Sequence, residues 1–129
     1  PPMTTDLWML AASVALTWVL IMAAATPTVL TNPLWAMGNR ETPLDPSPVA
    51  SRLARTAENM KENLPLFAAL VLVAHVSGEA DATSALGAQI FFGARVLHAV
   101  IYIAGIPKIR TPVWLVSVIG MGMVGAALF

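Results

Sequence analysis

The chain has 129 residues, of which 57% are hydrophobic and 11% charged, with no cysteine and a formal net charge of zero; its mean hydropathy is +0.75. Soluble domains do not have this composition, which reads as an integral membrane protein in contact with lipid. Disulfides, thiolate metal sites and a cysteine nucleophile are excluded, and no basic run interleaved with aromatics points to nucleic acid.

From Leu7 to Asn39 no side chain is ionisable, and Leu7 to Leu30 alone supplies 24 residues, more than the ~20 that a helix needs to cross the hydrocarbon core. The opening "PPMTTDLW" carries no positive charge and leads into a run longer than that of a cleaved signal, so this span is expected to remain in the mature protein. Nothing is built on Pro1 and Pro2. Thr31 to Pro48, "TNPLWAMGNRETPLDPSP", has the prolines and Gly-Asn pair of a connecting loop. Ser47 followed by Pro48 reads as an N-cap and first-turn proline, opening a second helix that continues to about Val76. "SGEADATS", Ser77 to Ser84, is a short acidic turn, and "GIPK" breaks the third helix. Thr111-Pro112 then repeats the cap-and-proline signal for a last apolar segment.

The expected fold class is therefore an all-α membrane protein. Residues 1–129 would form a single four-transmembrane-helix up-and-down bundle, with helices at about 6–31, 48–76, 84–105 and 111–129. Arg40, Lys108 and Arg110 fall in or beside loops one and three, whereas the N-terminus and loop two carry Asp6, Glu79 and Asp81 and no Lys or Arg. The positive-inside bias then places loops 32–47 and 105–111 in the cytoplasm and both termini on the opposite side. Trp8, Trp35, Trp114 and His75 read as interfacial residues. "GMGMVG", Gly120 to Gly125, lacks the strand-turn-helix context of a dinucleotide motif; Gly122 and Ala126 instead suggest small-xxx-small helix packing.

Two helices carry polar faces. At 100° per residue Arg52, Arg55, Asn59, Glu62 and Asn63 fall within about 100° of arc on the second helix, while Glu58 and Lys61 lie off it and can snorkel or pair locally. Leu64 to Val76 is only 13 residues, about 20 Å of helix, so the stripe must reach below the headgroups if this helix spans. Charge at that depth costs on the order of 3 kcal/mol per group and should face protein or water. Arg95, His98 and Tyr102 share about 60° of arc on the third helix. Placed face to face, the stripes would surround one cavity with Arg110 and Thr111 at its rim. Buried pairs of Arg55 or Arg95 with Glu62 would satisfy the same spacing, but the cations outnumber the carboxylates, which favours an anionic ligand.

The pattern Arg55-x-x-x-Asn59-x-x-Glu62-x-x-Pro65, followed by "ARVLHAVIY" and "IRT", resembles the MAPEG family, the membrane-associated proteins of eicosanoid and glutathione metabolism. The spacing of these blocks is similar to that in bacterial-type members near the microsomal glutathione transferase and prostaglandin E synthase branch. The resemblance implies a homotrimer that binds glutathione between subunits near the cytoplasmic face. It assigns glutathione contacts to Arg40, Arg55, Asn59, Glu62, Arg95, His98 and Tyr102. Arg110 would activate the thiol with help from Thr111 or Tyr102, although Thr111 also reads as the helix N-cap. The implied activity is a membrane-bound glutathione transferase or peroxidase acting on a lipophilic electrophile, without a metal. The alternative is a non-catalytic accessory subunit or lipid-binding scaffold of the same fold.

Overall fold

The computed structural model describes residues 3–44 and 46–129; Pro1, Pro2 and, within the first loop, Asp45 lie outside them. Among the described residues all regular structure is helical: α1 (Thr5–Thr31), α2 (Pro33–Met37), α3 (Pro48–Ser77), α4 (Ala82–Ile103) and α5 (Arg110–Ala126). Helix α1 starts on the Thr4 hydroxyl, which accepts from the Leu7 N–H, and holds Pro27 near its end. Ser47 caps α3 as its sequence suggests, with Pro48 in the first turn and Gly78 in the left-handed conformation after the last.

Two helix boundaries and one additional helix depart from expectation for identifiable reasons. Helix α4, expected from about residue 84, begins at Ala82, because Asp81 caps it: its Oδ1 accepts from the Ser84 N–H while Ser84 Oγ accepts from the Asp81 N–H, both at 2.9 Å. The α5 cap is Ile109 and not Thr111, and no side chain bonds the first turn. The first loop contains the one-turn helix α2, opened by Pro33 at its first position.

Helices α1 and α4 are each long and apolar enough to cross a membrane. Helix α5 is apolar but has 17 residues, roughly 25 Å at 1.5 Å per residue. The first half of the 30-residue α3 carries Arg52, Arg55, Glu58, Lys61 and Glu62. Helix α4 packs on α5, α1 lies against α3 and α4, and α3 touches α4 and α5. Met60, Phe67 and Val71 of α3 meet Phe91 of α4, Val124 of α5 and Leu20 of α1 in the core. Phe67 and Phe91 stack with ring centroids 4.0 Å apart. The helical spacing of Ala57, Met60, Phe67, Val71 and Ala74 puts one side of α3 inward, and so turns much of its charged side away from the core.

The α4–α5 contact is a glycine crossing, but not the one the small-xxx-small spacing suggests. Gly122 and Ala126 are exposed, and a Cβ built on Gly122 would meet nothing within 4 Å. The close approach is at Gly87 and Gly120, where a Cβ on Gly120 would lie 2.6 Å from the Gly87 carbonyl oxygen and 2.7 Å from the Phe91 nitrogen. Backbone atoms cannot move aside as a side-chain tip can. Gly120→Ala is therefore expected to destabilise the protein by about 1–3 kcal/mol, and Gly122→Ala by less than about 0.5 kcal/mol. Thermal unfolding of the two variants in detergent checks the contrast; equal melting points would place the helix contact elsewhere.

Candidate functional site

The most buried charge is Arg95 on α4, with 1% of its surface exposed. Its Nη2 donates to Asn59 Oδ1 on α3 at 2.6 Å, while Nε and Nη1 have no partner among the described residues. Asn63, one turn further along α3, donates its amide to the Asn59 backbone carbonyl at 2.7 Å. Neither Arg55–Glu62 nor Arg95–Glu62 forms. The single ion pair among the described residues is Lys61 with Glu58 at 2.6 Å, both exposed and one helical turn apart. A guanidinium this deep, held by a neutral amide with two nitrogens unused, is a donor waiting for an acceptor.

Asn59 also forms part of the wall of an open cavity of about 190 Å³ with His98, Tyr102, Arg110, Thr111 and Trp114. The helical spacing of His98 and Tyr102 brings their rings to 5.6 Å between centroids. The Arg110 guanidinium lies 4.7 Å above the Tyr102 ring, a cation–π distance. Because Ile109 caps α5 without a side-chain bond, the N–H groups of Arg110 and Thr111 face the start of the helix with no capping acceptor. The cavity is thus walled by a cation and a helix N-terminus and contains no carboxylate, an arrangement that favours an anion.

A second open cavity, of about 250 Å³, shares Asn59 with the first and is otherwise lined by Ala54, Arg55, Glu58 and Glu62. Arg55 and Glu62 are exposed there. The single polar stripe of α3 thus divides: Arg55 and Glu62 border one cavity, Asn59 reaches both, and Asn63 bonds its own helix. Arg40 joins neither, since it lies in the first loop over the Trp35 ring at 5.5 Å, its Nε donating to the Ala36 carbonyl. Arg52 turns away as well and donates to the Ile103 carbonyl at 3.0 Å.

The family model of the MAPEG family matches residues 7–129. The chain belongs to the MAPEG family. No curated protein and no solved structure gives a significant match. MAPEG proteins are integral to membranes and associated with glutathione and eicosanoid metabolism, and the family includes glutathione transferases and peroxidases. Membership accounts for the apolar composition of the chain.

One wall of the MAPEG chain's cavity was not legible as such. Trp114, read from sequence as a membrane-interface anchor, is half-buried beside Arg110 and Thr111. The available signal was its spacing: Trp114 follows Arg110 by four positions and so shares its helix face. No group of three or more His, Cys, Asp or Glu among the described residues could hold a metal ion.

Proposed function

We propose that the chain is a membrane-bound, glutathione-dependent transferase or peroxidase acting on lipophilic electrophiles. In this reading α1, α3, α4 and α5 all span the membrane, and three copies associate. Glutathione lies between subunits near the cytoplasmic face, on the side of loops 32–47 and 105–111. The observation that carries the reading is the cavity that unites Asn59, His98, Tyr102, Arg110 and Thr111, with no carboxylate of its own and with Asn59 accepting from the buried Arg95 behind it.

Glutathione presents two carboxylates, one ammonium and a thiol. Arg95, two of whose nitrogens have no partner among the described residues, and Arg55 provide guanidinium for the carboxylates, and Glu62 provides the counter-charge for the ammonium. Both Arg55 and Glu62 are exposed on a single chain, and covering them by a neighbouring subunit removes them from lipid. Arg40, which reaches neither cavity within one chain, would contribute only across such a boundary.

The sulfur is placed against Arg110 and the N-terminus of α5. Positive charge there lowers the thiol pKa and raises the thiolate fraction at neutral pH, the proton passing to solvent. A hydroxyl of Tyr102 or Thr111 donates a hydrogen bond to the sulfur. In conjugation the thiolate forms a carbon–sulfur bond as halide leaves or an epoxide oxygen takes up a proton. In peroxide reduction two glutathiones are oxidised to the disulfide as the hydroperoxide yields alcohol and water. The electrophile approaches from the bilayer, and Trp114 provides an apolar wall.

Turnover of a lipophilic aryl halide and of a lipid hydroperoxide, measured with glutathione in detergent or liposomes, tests the assignment. Glutathione-dependent consumption of either is expected. Saturable glutathione binding with no consumption of any lipophilic halide, epoxide, enone or hydroperoxide would favour an accessory subunit.

A further inference from the structure

We infer that Arg52 is a positioning residue for Arg110, acting through the α4–α5 connection without lining either cavity. The inference rests on the role proposed above for Arg110 and extends it to a residue of the α3 polar stripe that the family resemblance leaves without a role.

At the end of α4 the Tyr102 carbonyl accepts from the Gly105 N–H at 3.0 Å and the Ile101 carbonyl from the Ile106 N–H at 3.1 Å. The Ile103 carbonyl accepts from Arg52 Nε at 3.0 Å, across 51 residues of sequence. A cation at a helix C-terminus is also favoured by the helix dipole. The same guanidinium lies against the turn: a Cβ on Gly105 would be 3.3 Å from both Cζ and Nε of Arg52. Gly105 has φ +75° and Lys108 has φ +74°, so the chain reverses between two left-handed residues immediately before Arg110. Tyr102 stands on one side of the clamped segment and Arg110 on the other, and the two meet at 4.7 Å. Arg52 therefore holds both ends of the Tyr102–Arg110 contact in register. A displacement of about 1 Å at a catalytic group can lower the rate on the order of a hundredfold.

The test uses full-length Arg52→Ala, Arg52→Lys and Gly105→Ala, each titrated with glutathione. Bound thiolate is followed by ultraviolet absorbance against pH, and kcat and KM are measured with an aryl halide. Arg52→Ala is expected to move the thiolate titration to higher pH and lower kcat by about 10- to 100-fold, with KM for glutathione changing less than about threefold. Arg52→Lys, which keeps the charge at the helix end, should recover part of the loss. Gly105→Ala, which strains the turn and crowds the guanidinium, should shift the titration in the same direction as Arg52→Ala. In Arg52→Ala/Gly105→Ala the crowding term disappears, and the loss should be smaller than the sum of the two singles. If Arg52→Ala does not fold, Arg52→Lys and Gly105→Ala decide alone. A lower melting point with unchanged thiolate titration and kcat in the folded variants would overturn the inference while leaving the proposed function intact. Absence of bound thiolate in the unmodified protein would overturn both.

Discussion

Arg110→Ala is expected to leave glutathione bound but largely protonated at neutral pH, with kcat reduced on the order of 10²- to 10³-fold, the usual effect of removing one donor to a developing or resident anion. The direction follows from charge. A cation beside the sulfur stabilises the thiolate and so holds the thiol pKa below its free value. Without the guanidinium the pKa rises, the pH–rate profile moves to higher pH, and activity returns as the medium supplies the deprotonation. KM should change little, because the carboxylate and ammonium contacts remain. Arg110→Lys should be intermediate: it keeps the charge but loses the planar face that lies 4.7 Å over Tyr102. Rate against pH, measured beside bound-thiolate absorbance, separates these effects. A normal thiolate signal in Arg110→Ala would move the activating role to Tyr102, Thr111 or the N-terminus of α5.

The second large effect is expected at Asn59. Asn59→Leu removes the acceptor of the 2.6 Å bond from Arg95 and leaves a guanidinium with 1% surface exposure without a protein partner. Such a change costs about 3 kcal/mol or more, a large fraction of an ordinary folding free energy. The variant also distinguishes a structural arginine from a binding one. If Arg95 serves an anionic ligand, saturating glutathione should restore part of the lost thermal stability by supplying a carboxylate in place of the amide. Asn59→Asp should keep the fold by pairing the guanidinium directly, yet bind glutathione more weakly because that charge is already satisfied. A destabilised Asn59→Leu protein that glutathione does not rescue would mean that Arg95 sets helix packing alone.

The long helices were legible because their ends are chemically marked, with Ser47-Pro48 before α3 and Gly78 after it. The start of α4 was less so, because Asp81 and Ser84 both lie in the segment read as an acidic turn and their reciprocal capping bonds appear only in the fold. Helix α2 escaped notice because five residues are too few to show a period. Periodicity put Arg95, His98 and Tyr102 on one narrow arc, of which His98 and Tyr102 line the cavity while Arg95 lies buried against Asn59. It grouped the α3 stripe less well, because an arc of about 100° is wide enough to face two grooves. Asn59 sits at the divide, Arg55 and Glu62 fall on one side of it, and Arg52 reaches back to the end of α4. The glycine crossing failed for a related reason. Spacing shows that Gly122 and Ala126 share a face, but only packing reveals that Gly120 is the residue turned toward Gly87.

The most direct test is a glutathione titration of the detergent-solubilised protein by calorimetry, with ultraviolet difference absorbance recorded on the same samples and Arg110→Ala alongside. Saturable binding accompanied by a thiolate band that Arg110→Ala loses is the predicted result. No binding at millimolar glutathione would contradict an activated-thiol enzyme and leave the cavity beside Asn59 and Arg110 to another anion.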